Sequence, residues 1–317
     1  MSTATGVFLL SLTAVPVCYS MNLMSSMGDH RLVFGGACLV LAVIVFMSYL
    51  IIAFTGKQNK PSDLFFYVFS LFAFTSVVDL VIGLELDGVI NNFVAFYLKE
   101  GEPYLNTAYG TMINYWDGTG HYCMYLMMVT AIVWKLNVVF SFSQKIKAQK
   151  KSIFQRPFDL MMVIYLLTSC VFSFIRMLAA LNSPILFAQA YVKFYEPYLL
   201  DPVIYPKLQM LVYWFYLTPH SLCAIYGLLY PGCEWMSDWA LIHAGAAMQG
   251  QFSHIGSSLH SRTPYALRVP IDSRSTFWVI NLILLVFPQI LAWRCLNKPA
   301  FFAKEVDPRP LKKEHLK

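Results

Sequence analysis

Charge is scarce in this 317-residue chain: Asp, Glu, Lys and Arg make up 13% of it, against 58% hydrophobic residues and a mean hydropathy of +0.56. Soluble domains carry about a quarter charged residues, so the shortage excludes an ordinary soluble fold. One core could not hide this much apolar surface, whereas a bilayer solvates apolar side chains itself. Asn-x-Ser/Thr acceptors are absent too, and with them any sequence mark of a glycosylated lumenal loop. Cysteine pairing is also missing. Cys18, Cys38, Cys123, Cys170, Cys223 and Cys295 lie in apolar runs, Cys233 is the clear loop cysteine, and no two have CxxC or metal-ligand spacing. They read as small buried apolar residues. No nucleophile elbow, P-loop, dinucleotide fingerprint or zinc motif occurs, so neither a cofactor nor a metal is expected. The formal charge of +6 comes from short juxtamembrane clusters without a basic, aromatic-interleaved stripe, which argues against a nucleic-acid partner.

Long apolar runs are what the chain has in their place. A spanning helix needs roughly 20 apolar residues, and eight windows meet or approach this: Gly6–Met27, Leu32–Phe54, Leu64–Leu84, Thr111–Trp134, Leu160–Leu181, Leu208–Tyr230, Trp239–Leu259 and Thr276–Trp293. The expected fold class is all-α: a polytopic membrane helix bundle of about eight transmembrane helices. The first window has no basic n-region and is too long for a signal-peptide core, so it reads as a span. With the N-terminus in the cytoplasm, Lys57, Lys60, six basic residues from Lys135 to Arg156 and seven from Arg294 to Lys317 fall on that side. Only seven fall on the other, so both termini are expected to be cytoplasmic.

An internal repeat is visible. Asp63-Leu64 opens one apolar helix, and Arg156-Pro157-Phe158-Asp159-Leu160 opens another. Each leads to a loop with the same tetrapeptide, Glu102-Pro103-Tyr104-Leu105 and Glu196-Pro197-Tyr198-Leu199, and then to a second apolar helix. Internal repeats with a site at their interface recur in membrane proteins.

Ionisable groups inside hydrocarbon are costly and usually face a bundle interior or a wet cavity. That selects Asp79, Asp117, His121, Arg176 and His220. Asn114, Asp117, His121 and Tyr125 recur at helical spacing and form one stripe. It reads either as a proton shuttle or as a structural hydrogen-bonded pair. Gln209, Tyr213, Tyr216 and His220 form a second stripe, either an interhelical polar seam or the lining of a ligand pocket. Asp79, with Thr75 and Ser76 beside it, and Arg176, with Ser169 and Ser173, fall at matching points of the repeat and are expected to pair. Ala246, Gly250 and His254 make a small-residue face, and His243 lies close to the same face. Two histidines three turns apart do not chelate one metal.

Several longer stretches resemble the transmembrane 6 superfamily: Phe74-Thr75-Ser76-Val77-Val78-Asp79-Leu80, Glu100-Gly101-Glu102-Pro103-Tyr104-Leu105, Tyr115-Trp116-Asp117-Gly118, Gln251-Phe252-Ser253-His254-Ile255-Gly256 and Arg294-Cys295-Leu296. The likeness runs from end to end except around 135–155. Ala4-Thr5-Gly6-Val7-Phe8, Asn106-Thr107-Ala108-Tyr109-Gly110 and Leu241-Ile242-His243-Ala244-Gly245 are more similar to the member 1 branch than to the member 2 branch. The resemblance implies tandem EXPERA repeats, the four-helix module shared with the emopamil-binding sterol isomerase, and a sterol or related lipid held within the bundle. It implies a lysosomal membrane for the member 1 branch and an endoplasmic reticulum or Golgi membrane for the member 2 branch.

The resemblance also divides the chain. Residues 1–57 are two N-terminal spans, 58–134 a first repeat that lacks its last two helices, and 135–155 a basic connection. Residues 156–296 are a complete second repeat, where the ligand is expected, and 297–317 a basic tail. Gln209, Tyr213, Tyr216, His220, His254, Asn114, Tyr115 and Trp116 are the expected ligand-binding residues. The isomerase has a His and a Glu one turn apart and a second Glu on the next helix. Here Asp79 and Gly83 stand at the first two places and Tyr115–Asp117 near the third, so the catalytic constellation differs in type. Asp117, His121 and Asp79 are the candidates for acid–base work if a ring double bond is moved, with aromatic faces for the cation between. Three readings stay open: a lipid-binding protein acting in lipid homeostasis, a sterol isomerase, and a transporter. Pro219 and Pro288 have no partners in the first copy, which counts against transport.

Overall fold

The computed structural model describes residues 2–25, 30–55, 63–134 and 151–303. Lys57, Lys60, residues 135–150 of the basic connection and 304–317 of the tail lie outside the described residues. Those described are built from helices and turns alone, in two compact units.

The first unit takes residues 1–140 and 252–268. Its helices are α1 (Thr3–Leu12), α2 (Ala14–Ser25), α3 (His30–Thr55), α4 (Phe65–Leu86), α5 (Ala108–Trp116) and α6 (Tyr122–Val133). The chain breaks between α1 and α2 because Pro16 has no N–H to give the Leu12 carbonyl, and its ring crowds that oxygen. Central to the unit is α4, which packs against all the other five. It ends where Gly88 takes a left-handed φ of 72°, a conformation that costs glycine little. Thr107 caps α5, its hydroxyl accepting the Gly110 N–H at 3.0 Å.

The second unit takes residues 141–251 and 269–317. Its helices are α7 (Pro157–Ala180), α8 (Leu186–Phe194), α9 (Ile204–Val212), α10 (Thr218–Leu229), α11 (Met236–Leu259, whose last turns belong to the first unit) and α12 (Arg274–Asn297). Pro157 starts α7 at the position where its missing N–H costs nothing, and it keeps Arg156 out of the helical conformation, at φ −128° and ψ 72°. Asp159 sits in the first turn of α7 and Arg294 in the last turn of α12, each favoured by the local helix dipole. The core gathers around Met162, Leu166, Leu228, Met236, Leu291 and Phe302.

The repeat seen in the sequence returns in the backbone. In both copies the helix after the loop runs nine residues of α-helix, five π-helical and twelve α-helical: α5, Asp117–His121 and α6 in the first, α9, Tyr213–Leu217 and α10 in the second. The causes differ. Pro219 denies Phe215 a hydrogen bond in the second copy. In the first, two glycines flank Thr119, and Gly118 lies against the Leu80 backbone. Glu102 and Glu196 share nearly the same backbone angles, φ −131° with ψ 67° and φ −136° with ψ 67°, because each precedes a proline.

A Cβ added at Gly118 would come within 2.7 Å of Leu80 N and Cα, atoms that cannot withdraw without moving α4. Gly118→Ala is expected to cost ~1–3 kcal/mol by overpacking. Thermal unfolding of the detergent-solubilised chain would show this, and an unchanged midpoint would refute the close approach.

Five helical segments are individually long and apolar enough to cross a bilayer: Thr3–Ser25, Arg31–Thr55, Phe65–Leu86, Pro157–Ala180 and Tyr265–Asn297. The other three windows are helical as well, two interrupted by π-turns and one forming α11. Large apolar side chains cover the outward faces, with Phe54 at 83% and Phe215 at 70% exposure. Such faces need lipid in place of water. The chain is an integral, multi-pass membrane protein.

Candidate functional site

A cavity of about 610 Å³ lies in the first unit. That is inside the range of ~300–1,000 Å³ common to small-molecule sites. Helices α2, α3 and α4 wall it, and the loop before α5 closes one side, with Cys18, Phe34, Phe74, Asp79, Phe93 and Tyr97 among its lining residues. The loop is pinned at two points. Glu85 Oε2 accepts the N–H groups of Phe93 and Val94, each at 2.8 Å. Asn22 Oδ1 accepts the Phe96 N–H at 3.0 Å, while its amide donates to the Asn92 carbonyl at 2.9 Å. Within this apolar wall Asp79 is the one carboxylate, half-buried and without a hydrogen bond or ion pair to another described residue.

The first stripe runs from α5 through the π-turn into α6, and its Asn114, Asp117 and His121 are occupied. Asn114 donates to the Gly110 carbonyl of its own helix at 2.7 Å. Tyr115 donates to Asp87 Oδ2 at 2.9 Å. Asp117 Oδ1 lies 2.6 Å from His121 Nδ1, and Trp116 Nε1–H donates to His121 Nε2 at 3.1 Å. Both nitrogens of His121 are therefore engaged, one as donor and one as acceptor. The arrangement is a fixed hydrogen-bond chain, with no free nitrogen to take up a substrate proton. Trp116 also packs on Phe252, ring centres 5.3 Å apart.

The second stripe is a packed seam. Gln209 donates to the Tyr213 hydroxyl at 3.1 Å and to the Gly250 carbonyl at 2.7 Å. A Cβ at Gly250 would fall 2.5 Å from that hydroxyl, so the small-residue face admits the tyrosine. His220 stacks on His243 with ring centres 3.9 Å apart, and Tyr216 lies 6.3 Å from both. His254 is fully buried in the first unit. The space beside Tyr213, Arg176 and His243 is about 20 Å³, room for a water and not for a lipid. No lipid-sized space opens beside this seam; the apolar cavity with Asp79 lies in the first unit. Among the described residues no three metal-ligating side chains converge.

The expected pairing of Asp79 with Arg176 is corrected. Arg176 finds its partners inside its own unit, bonding to Glu196, to Asn281 Oδ1 at 2.8 Å and to the Tyr191 hydroxyl at 3.3 Å, with its Nη1 left unpaired. Glu196 belongs to the repeated tetrapeptide, and the loop carries it back over α7. The sequence marked that tetrapeptide without indicating that its glutamate served an intramembrane arginine.

A family model described as EXPERA (EXPanded EBP superfamily) matches residues 186–295, and one described as transmembrane 6 superfamily member 2-like, transmembrane domain, matches 13–141. Human transmembrane 6 superfamily member 2 is 38% identical over 369 residues, covering 96% of this chain and 97% of the relative. The chain belongs to the transmembrane 6 superfamily. The mouse protein of the same name is 38% identical over 92% of both chains, and the rat protein 38% over 94% of both. The alignment to the human protein is longer than the 317 residues of this chain, so that relative carries residues with no counterpart here. No solved structure matches.

Proposed function

We propose that this chain binds a sterol or related lipid in the cavity of its first unit, and through it acts in lipid homeostasis. One observation carries the reading: an apolar cavity of about 610 Å³ with a single carboxylate, Asp79, that no described residue satisfies. A half-buried carboxylate facing an apolar wall gains from a partner that donates to it. A lipid that is apolar along its length and has one hydroxyl supplies that donor and fills the remaining space. Binding fits the geometry better than turnover. Moving a double bond needs an acid and a base facing one cavity, yet Asp117 and His121 hold each other and the Trp116 indole.

Location follows the branch of the family. The member 1-like stretches favour the lysosomal membrane, and the member 2 relatives favour the endoplasmic reticulum or Golgi. The excess of Lys and Arg places both termini in the cytoplasm. We assign the residues missing relative to the human protein to the point after Trp134, which leaves the first repeat at 58–134 short and the second at 156–296 complete.

Purifying the full chain in mild detergent and identifying co-purifying lipids by mass spectrometry tests this directly. Sterol or a related hydroxylated lipid should be retained. Asp79→Leu keeps the wall apolar but removes the acceptor. Losing a hydrogen bond to a charged group costs about 1.5–3 kcal/mol, a roughly tenfold to hundredfold loss of retention. No retained lipid in the wild type, or full retention in Asp79→Leu, would reject the assignment. Turnover of an offered Δ8-sterol would show catalysis.

A further inference from the structure

A second cavity, of about 480 Å³, lies in the second unit where α7 begins and α12 ends. Lys151, Arg156, Arg294 and Lys298 line it, with Asp159 as its sole carboxylate. Asp159 is 1% exposed and covered on both oxygens: Arg294 Nε reaches Oδ1 at 2.9 Å, and Arg294 Nη2, at 2.9 Å, and Arg156 reach Oδ2. The lining therefore has three positive charges in excess.

The arginines are used up in shaping the site. Arg156 donates from Nε to the Lys151 carbonyl at 3.3 Å and from Nη2 to the Leu228 carbonyl at 2.7 Å, with its guanidinium 3.6 Å from the centre of the Phe301 ring. Arg294 donates from Nη1 to the Lys298 carbonyl at 2.7 Å. Each arginine thereby clamps the backbone of one lysine, and both lysines border a single cavity with exposed side chains. Two spans end here, so the cavity is at the membrane surface. Phe154, 82% exposed, stands three residues from Lys151, where an acyl chain could cover it.

We propose that this cavity binds a phosphate group, with Lys151 and Lys298 as its direct ligands and Arg156, Asp159 and Arg294 as positioning residues. Phosphate suits a compact site with two ammonium donors and a surplus of positive charge. Its source is either the headgroup of an anionic lipid or a soluble phosphorylated metabolite. Basic pockets beside spanning helices commonly hold such headgroups.

The full chain in uncharged detergent is titrated with dioctanoyl phosphatidylinositol 4-phosphate, dioctanoyl phosphatidylcholine and inorganic phosphate, at low and high salt, with binding read by thermophoresis. The inositol lipid is expected to bind, to weaken with salt and to outcompete phosphatidylcholine. Lys151→Gln with Lys298→Gln should weaken it roughly thirtyfold, at about a kilocalorie per mole for each lysine, without shifting the unfolding midpoint. Lys151→Arg with Lys298→Arg should retain binding. Phosphate competing as strongly as the lipid supports the site and assigns it to a soluble metabolite; competition by the lipid alone supports the site and assigns it to the headgroup. Equal binding of phosphatidylcholine, no binding of either phosphate, or unchanged affinity in the glutamine double variant overturns the proposal.

Discussion

Arg176→Gln is expected to lower stability by ~3–5 kcal/mol, the cost of leaving one partner of a buried ion pair uncompensated. Arg176 and Glu196 are each 1% exposed and Asn281 is fully buried, so bulk solvent does not replace the lost positive charge. Asn281 itself donates to Glu196 Oε1 at 3.2 Å and cannot neutralise a carboxylate. Glu196→Gln should cost a similar amount for the opposite reason. Arg176→Met with Glu196→Leu removes both charges and should recover much of the loss, since apolar replacement of a buried pair is often neutral. Thermal unfolding in detergent, with the yield of folded protein, provides the comparison. A single variant that unfolds at the wild-type temperature would show that the pair is not buried in the membrane form.

Asp159→Asn should be about as damaging, and more widely felt. One carboxylate balances Arg156, its neighbour in the chain, and Arg294, which lies 135 residues away. Removing its charge leaves two guanidinium groups side by side, with a loss of ~3–5 kcal/mol expected. The beginning of α7 and the end of α12 should then separate. Protease sensitivity of the chain near Lys298 would rise together with the drop in unfolding temperature. Arg294→Lys retains the charge but not the two-pronged contact with Asp159, and should fall between wild type and Asp159→Asn. If Asp159→Asn resists both heat and protease as the wild type does, the staple does not hold these ends together.

Much of this architecture was legible in the sequence because a bilayer makes simple demands. Eight apolar windows were found as helices, since a segment in lipid must satisfy its backbone internally. The tetrapeptide repeat led to two copies with the same π-interrupted helix. What stayed hidden was the register of partners. Helical spacing placed Asn114, Asp117 and His121 on one face, but it could not show that Trp116 closes the chain from the next face. It placed Arg176 inside a span, but the matching residue of the other repeat proved to be the wrong partner. Glu196, carried by a loop, was closer in space than any periodic pattern suggested. The cavity escaped notice for a related reason. Its lining comes from three helices and a loop, and nothing in the chain brings Asp79 and Thr75 on α4 together with Cys18 on α2 or the rings of Phe93 and Tyr97.

The sequence alone settled that this is a multi-pass helical membrane protein, where its helices run and that it contains a repeat. Charge scarcity, segment length and a repeated motif are properties of the chain, and hydrocarbon enforces them. Tertiary structure decided which face of each helix is inside and which polar groups meet. Lipid-facing and core-facing sides are both apolar, so the contrast that reveals the buried face of a soluble helix is weak here. Packing alone therefore determined that Arg176 meets Glu196, that Asp159 joins two distant arginines, and that Asp79 is left facing an apolar cavity.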